Sequence, residues 1–477
     1  MTDILKKSLF YRICAAVGGW FSRQWMGSRI IRAFVNMKDD EDLASGSAFF
    51  RAGSRLRQAQ ESVSGALRLD RLFKNSIFAM PYLWCFLAVV LAPLIPTMAL
   101  LALVLLACLA TVLRAGIDRE RKLARAPVNR YILIYAIIYF IATFTSVTIS
   151  GSLYIGLLSC VLIMSAFAVE NAVTTRKQFD ILVKAIVLAG TLVALYGIYQ
   201  HFFGTGGGET WVDQDMFSDI STRVYSTLQN PNVLSEYLLL IIPLAAALLF
   251  AEGGAGRKLF YLMICGILCL CMIYTFSRGG WLGLLFAAVI FLLLVDRRFI
   301  FLIIAGGIGL LLFAPDVMVQ RFTSIGNVTD TSTSYRVSIW MGTIKMLKDY
   351  WLTGIGPGTH AFNMVYPAYS YNTVSAPHAH NLFLQIVCDT GIAGIIVFAI
   401  LIIAFIRMNC HAISVTKDRR AKMLQIGTLS GAGGFLLQSM TDYSFYNYRV
   451  MFLFWAYLAV SAIACRYESL EGDAQNI

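Results

Sequence analysis

Long apolar runs, separated by short polar segments, follow one another along most of the chain. Two of them, Ala88–Leu113 and Leu282–Val295, contain no charged residue. A helix needs about 20 mostly apolar residues to cross a bilayer, and it satisfies its own backbone hydrogen bonds there. The pattern therefore predicts an all-α polytopic membrane protein with about 12 transmembrane helices, at residues 77–95, 97–113, 131–147, 151–169, 181–203, 232–251, 258–276, 279–295, 299–314, 382–406, 424–441 and 445–464.

Three polar segments complete the predicted domain organisation. Residues 1–76 form a basic segment in which Leu9–Val35 mixes aromatic and arginine residues, as a helix lying on the inner leaflet does. Within the membrane domain, 77–465, residues 315–380 form a large outer loop between the ninth and tenth spans. Its part Ser334–Tyr350 has the pattern of an amphipathic helix on the outer membrane surface. Residues 466–477 form a C-terminal tail.

The composition agrees with a polytopic membrane protein, and the distribution of positive charge predicts its orientation in the bilayer. The chain is 58% hydrophobic and only 14% charged, with a net charge of +12. All but seven of its 39 lysines and arginines fall on the side of the predicted bilayer that holds both termini. Positive residues accumulate on the cytoplasmic side, so we expect both termini in the cytoplasm. Orientation and lipid contact explain the positive charge, and no nucleic-acid partner is expected.

Two arginines on the outer side are candidate anion ligands. Arg278 stands between two apolar spans, where the orientation rule disfavours a positive charge, and Arg336 lies in the amphipathic part of the outer loop. One interpretation is contact with lipid headgroups, for Arg278 by snorkelling and for Arg336 as part of a polar helix face. The other is a clamp on pyrophosphate, because guanidinium groups bind phosphate oxygens bidentately and remain charged.

His380 is a candidate general base at the start of the tenth span. Asn381 is expected to cap that helix, and the positive helix N-terminus favours the neutral imidazole that a base requires. The alternative is an interfacial histidine satisfied by backbone groups and water. Gly391 and Gly394 share a helix face and predict the close approach of a neighbouring helix.

Motifs for soluble nucleotide donors are absent from the sequence. It contains no P-loop, no dinucleotide-binding glycine pattern and no HExxH zinc motif. A reaction at this membrane would therefore use a donor that is already activated and carried by a lipid.

Several motifs together resemble a known family. His380 and Asn381, nine further residues, Gly391, two residues and Gly394 match the H-[NSQ]-x9-G-x-x-G pattern of the O-antigen ligase family. SRGGWL, YRVSIW followed by GIGPG, and NPN stand in the expected order. The chain resembles this ligase and polymerase superfamily from about residue 200 to 443.

The resemblance implies an inverting, metal-independent glycosyltransferase without a cofactor. The donor would be a glycan on undecaprenyl pyrophosphate, presented at the outer (periplasmic) face of a bacterial plasma membrane. The acceptor would be a lipid A–core glycolipid or a growing glycan. His380 would be the base, and Arg278 and Arg336 would bind the leaving group. Further substrate-side candidates are Arg223, Asn381, His378, Tyr366, Tyr369 and Asp389. Asp389 stands where relatives often have Glu, and the two tyrosines could instead anchor the loop in the interface.

Other functions remain open on the sequence. A polysaccharide polymerase or a protein O-oligosaccharyltransferase would share this scaffold. Some relatives with SRGGW and HAHN are described as bicarbonate transporters, so solute transport is an alternative of a different class. A transporter is expected to show internal repeats and polar groups at the bilayer midplane, which the sequence lacks. A structural membrane scaffold is a further alternative.

Overall fold

The computed structural model describes residues 75–118, 123–124, 126–204, 223–313, 319 and 331–470, together with scattered residues between 58 and 73. The chain divides into two compact units, Met1–Lys74 with Gly116–Arg119, and Asn75–Ala115 with Glu120–Ile477. The larger unit contains the membrane domain. The interfacial helix expected at Leu9–Val35 lies outside the described residues.

The described part of the larger unit is built from helices, and this confirms the predicted all-α class. In chain order, α1 to α14 are Pro81–Leu91, Thr97–Ile117, Asn129–Phe144, Ile149–Ala172, Arg176–Phe203, Pro231–Ala251, Ala255–Tyr274, Arg278–Val295, Ile300–Phe313, Thr331–Tyr350, Thr359–Val365, Leu382–Val415, Arg419–Gln438 and Tyr448–Cys465. Each of the twelve predicted spans coincides with one of these helices. The remaining two, α10 and α11, belong to the predicted outer loop.

Eight helices among the described residues are long and apolar enough to cross a membrane: α2, α4, α5, α6, α7, α8, α12 and α14. The chain is therefore a multi-pass membrane protein. The other four predicted spans are helical but differ from these eight. Helices α1, α3 and α9 are shorter, with 11, 16 and 14 residues. Helix α13 has 20 residues but carries several polar ones.

Polar side chains at the borders of the spans determine where several helices begin. The first backbone N–H groups of a helix have no carbonyl partner within it, and a capping side-chain oxygen accepts one of them. Such caps precede α4, α6, α8, α12 and α14 at Thr148, Asn230, Ser277, Asn381 and Asn447. These caps also fix the course of the loops that carry the candidate site.

Helices α6 and α14 form the centre of the bundle. Helix α14 is enclosed along almost its whole length and contacts α4, α6, α12 and α13. Its Trp455 is fully buried and packs against Tyr135 of α3. Helix α5, in contrast, turns Leu188, Leu192 and Leu195 outward. An exposed apolar stripe at this spacing is typical of a helix that faces lipid.

Glycines bring α8 against α13. A β-carbon on Gly283 would lie 2.7 Å from the carbonyl oxygen of Gly434, and one on Gly434 would lie 2.5 Å from that of Gly283. The two backbones approach so closely because neither residue has a side chain. As a result, the beginning of α8, where Arg278 stands, lies beside the end of α13.

The outer loop forms a small core of its own. Ile339 and Met346 of α10 pack with Phe362 of α11 and with Tyr366. The predicted helix at Ser334–Tyr350 is confirmed, since α10 spans Thr331–Tyr350. Its other side exposes Met341 and Ile344. That this side rests on the membrane surface stays a prediction.

Candidate active site

The candidate site lies where the ends of several helices meet. The His380 loop, which precedes α12, runs alongside the loop between α13 and α14. The Leu382 amide donates to the Ser439 and Asp442 carbonyl oxygens at 2.9 and 3.1 Å, and Asn381 Nδ2 donates to the Met440 carbonyl oxygen at 2.6 Å. Asn381 Oδ1 also accepts from the Leu384 amide at 3.0 Å, which confirms the expected helix cap. Backbone and side-chain bonds thus hold the two loops together.

His380 faces an aspartate that the sequence reasoning missed. His380 Nδ1 lies 3.6 Å from Asp442 Oδ1, and the His380 side chain is 21% exposed. His380 has a φ of +47°, in the left-handed region, which costs a non-glycine residue about 1–3 kcal/mol. Trp340 of α10 donates its indole N–H to the His380 carbonyl oxygen at 3.2 Å. The imidazole is therefore held in a specific position and remains open to solvent.

Asp442 joins the other candidate residues. Asn232 Nδ2 and the Tyr443 amide donate to its two carboxylate oxygens at 3.0 and 2.9 Å, and Arg336 Nη2 lies 4.0 Å from Oδ2. Burial acts to raise the pKa of Asp442, but the His380 imidazole and the Arg336 charge together hold that pKa well below its ordinary value. Asp442 is therefore a carboxylate at neutral pH. A sequence signal existed, since it is an acidic residue at the end of a predicted span.

Arg223 lies behind Asn232 and is buried. Its Nη2 donates to Asn232 Oδ1 at 2.9 Å, and its Nε donates to the Thr275 carbonyl oxygen at 2.9 Å. Asn232, the second asparagine of NPN, therefore bridges Arg223 and Asp442. The structure joins Arg223 to the site through this bridge.

Arg336 has hydrogen-bonding capacity left over. Its Nη1 donates to Ser332 Oγ at 2.8 Å, whereas its buried Nε has no hydrogen-bond partner among the described residues. The side chain is 22% exposed. A partly exposed guanidinium group beside an open histidine is suited to binding an anion.

Arg278 begins α8 and is half-buried at the edge of the site. The preceding Ser277 accepts a hydrogen bond from Ser235 at 3.0 Å, and Ser235 accepts one from Gln438 at 2.7 Å. These bonds join α8, α6 and α13. A β-carbon on the neighbouring Gly279 would lie 3.0 Å from Thr441 Oγ1, so the Arg278 backbone adjoins the loop that carries Asp442.

His378 is buried next to His380 and hydrogen-bonds to its backbone. It is 6% exposed, and its Nδ1 accepts the His380 amide at 3.2 Å. Its ring centroid lies 5.3 Å from that of Tyr443 and 4.7 Å from that of Tyr446. Burial and the neighbouring His380 lower the pKa of His378 to about 3. His378 is thus a neutral acceptor that fixes the loop, and its contact with a substrate stays a prediction.

The lowered pKa of His378 predicts a loss of stability in acid. An unfolded histidine titrates near 6.5, so its contribution to stability is complete above pH 6.5 and is lost as pH falls towards about 3. Between pH 7 and pH 5 we expect the unfolding free energy in detergent to fall by about 2 kcal/mol. His378→Gln, which keeps an acceptor for the His380 amide, is expected to flatten this decrease. Replacement of the exposed His360 by Gln is the control. If the unfolding free energy of His378→Gln depends on pH as steeply as that of the wild type, the lowered pKa of His378 is contradicted.

Two expected substrate contacts need correction. Asp389 is 1% exposed and accepts from Tyr139 Oη and Gln385 Nε2, both at 2.8 Å. Tyr366 is also 1% exposed and stacks on Phe362 with 4.8 Å between ring centroids. Both side chains are enclosed, so neither can touch a substrate in this structure.

Tyr369 differs from Tyr366 because it is only partly buried. Its hydroxyl donates to Asp349 Oδ2 at 2.6 Å, which ties it to the last turn of α10. A contact between Tyr369 and a sugar therefore stays a prediction.

The role expected for Gly391, the packing of an intact helix, was wrong. Helix α12 is broken at Gly391, whose φ is +66° and ψ −164°. A segment of the outer loop enters the break. The Ile392 amide donates to the Trp351 carbonyl oxygen at 2.8 Å, and the Ile355 amide donates to the Cys388 carbonyl oxygen at 2.6 Å. The three atoms nearest to a β-carbon on Gly394 belong to Thr390 in the same helix, so the helix packing expected at Gly394 stays a prediction.

Comparisons with known proteins bear on this arrangement. A family model described as O-antigen ligase matches residues 263–399, which include Arg278, Arg336 and His380. A model described as mycobacterial cell wall arabinan synthesis protein matches residues 94–235. No curated protein matches the chain. Residues 263–399 of this multi-pass membrane protein are therefore similar to the O-antigen ligase family.

Proposed function

We propose that this protein transfers a glycan from undecaprenyl pyrophosphate to the hydroxyl group of a lipid A–core acceptor. The observation that carries the proposal is the meeting of His380, Asp442 and Arg336 at one end of the bundle. This arrangement combines a base, a carboxylate that orients it and a cation for the leaving group. Proton abstraction and charge neutralisation are the two requirements of such a transfer.

His380 is the proposed general base. The Asp442 carboxylate beside Nδ1 favours the tautomer with a proton on Nδ1, and Nε2 is then free to accept. Nε2 takes the proton of the acceptor hydroxyl, and the oxygen attacks the anomeric carbon. The bond from that carbon to the phosphate oxygen breaks as the new carbon–oxygen bond forms. The bonding electrons leave with the pyrophosphate, and the anomeric configuration is inverted.

Arg336 and Arg278 are the proposed ligands of the pyrophosphate. The partly exposed guanidinium of Arg336 beside Asp442 supports this role, and so does the place of Arg278 at the beginning of α8 beside Thr441. Guanidinium groups supply the positive charge that a metal ion would otherwise provide. Arg223 acts more remotely, through Asn232 on Asp442.

The distribution of lysine and arginine supports the proposed location. Both termini lie in the cytoplasm, and the site faces the periplasmic side of the plasma membrane. A donor and an acceptor that are both lipid-anchored meet the site there at the membrane surface.

The length of the lipid-linked glycan in cells that lack the protein tests this proposal. Under ligase-type transfer, long glycan chains accumulate on the undecaprenyl carrier, because assembly continues and transfer stops. Single repeat units on carrier and acceptor would instead identify a polymerase of the same superfamily. Unchanged glycans on both would contradict glycan transfer and favour solute transport.

A further inference from the structure

A line of enclosed side chains connects α3 with the His380 loop. It consists of Tyr139 on α3, with Asp389 and Gln385 on α12, and these three are 4%, 1% and 2% exposed. Tyr139 Oη and Gln385 Nε2 donate to the two oxygens of Asp389, each at 2.8 Å. Gln385 Oε1 accepts the Ala379 amide at 2.8 Å. Ala379 is the residue directly before His380.

The chemistry of the line fixes the direction of the Gln385 amide. The oxygens of a carboxylate accept hydrogen bonds, so Asp389 selects the NH₂ group of Gln385. The amide oxygen must then point the other way, towards the Ala379 N–H. Tyr139 occupies the second oxygen of Asp389 and holds the carboxylate in place. An acidic residue at position 389 thus provides an acceptor at the opposite end of Gln385.

The His380 loop needs such an acceptor because its backbone is strained. His380 has a φ of +47°, and residues persist in this region when surrounding contacts determine their conformation. Gln385 holds the residue before His380, His378 holds the His380 amide, and Trp340 holds the His380 carbonyl oxygen. Without Gln385 the buried Ala379 N–H has no acceptor, and the loop can relax away from Asp442.

We propose that Tyr139, Asp389 and Gln385 position His380, with Gln385 acting on it through the Ala379 amide. None of the three touches substrate. The expected effect on glycan transfer rests on the proposed function, whereas the expected effect on the position of His380 does not. The inference also gives a role to Asp389, which stands where relatives often have Glu: Asp389 positions Gln385.

The geometric test measures how fast diethyl pyrocarbonate modifies each histidine in the purified full-length protein. Peptide mass spectrometry follows His380, and the exposed His360 and His411 serve as internal standards. In Gln385→Leu we expect His380 to react severalfold faster, while His360 and His411 react as in the wild type. The matched control is Gln425→Leu, which removes a fully buried glutamine from α13.

The catalytic test measures transfer by the same variants. A misplaced base lowers kcat, by about 10²-fold for a displacement of about 1 Å, and leaves the KM for the donor unchanged, because the arginines are intact. Unchanged His380 reactivity in folded Gln385→Leu overturns the inference, whatever the activity. If His380 is modified faster in Gln385→Leu but the wild-type protein shows no transfer activity, the positioning role is supported and the proposed function is contradicted.

A milder variant decides the question if Gln385→Leu does not fold. Tyr139→Phe keeps the ring and its packing against Tyr135 and removes only the hydroxyl that holds Asp389. Faster modification of His380 in this variant supports the line of side chains. The wild-type rate overturns it.

Discussion

Replacing His380 with alanine is expected to lower glycan transfer by about 10²–10⁴-fold, the usual contribution of a positioned general base. Without the imidazole, the acceptor hydroxyl keeps its proton and attacks the anomeric carbon slowly. The arginines remain in place, so the KM for the lipid-linked donor should change little. The measurement is the initial rate of transfer by purified protein, with both lipid substrates in detergent micelles.

The control for this variant is His360→Ala. His360 is exposed on α11 and takes no part in the contacts of Asp442. Its replacement tests whether any histidine in the outer loop matters. A His380→Ala protein that elutes as the wild type and transfers at a rate within a factor of about two would remove His380 from the mechanism.

Replacing Gly391 with alanine is expected to destabilise the protein by about 3–5 kcal/mol. The left-handed φ of +66° is costly for alanine, and the added β-carbon would overlap the Leu352 carbonyl oxygen. Either α12 straightens or the outer-loop segment leaves the break. Both changes disrupt the bond between the Ile392 amide and the Trp351 carbonyl oxygen. The midpoint of thermal unfolding in detergent measures the loss.

Gly266→Ala on α7 is the matched control for Gly391→Ala. A β-carbon on Gly266 meets no atom within 4 Å in the described structure. Alanine in a regular helix is favoured over glycine by about 1 kcal/mol, so this variant should be as stable as the wild type or slightly more so. If both variants unfold at the wild-type temperature, the break in α12 is contradicted.

The sequence predicted the helices well because the bilayer leaves few alternatives. An apolar run of sufficient length has to satisfy its backbone within itself, so all twelve predicted spans are helical. The candidate base and its neighbouring arginine were also identified in advance. His380 and Arg336 lie in motifs whose order along the chain is characteristic, and the structure brings both to Asp442.

The tertiary partners of these residues were not predictable from local patterns. Asp442 is 62 positions from His380, and its place at the end of a predicted span marks it as an unusual acidic residue without indicating its partner. Gly391 was misjudged because a glycine that permits a positive φ and one that permits helix packing look alike in an apolar run. Asp389 was taken for a substrate contact because the sequence does not show which side of α12 is enclosed.

The central position of α14 has a consequence for biosynthesis. Helix α14 emerges from the ribosome after the thirteen other helices of the described residues, yet it fills the middle of the bundle between α4, α6, α12 and α13. The earlier helices therefore enter the bilayer before their common partner exists, and they have to remain loosely associated until it arrives. A chain interrupted before α14 lacks the centre around which the others assemble. We expect it to be recognised as incomplete and degraded, even though residues 263–399, which match the O-antigen ligase family model, have already been made.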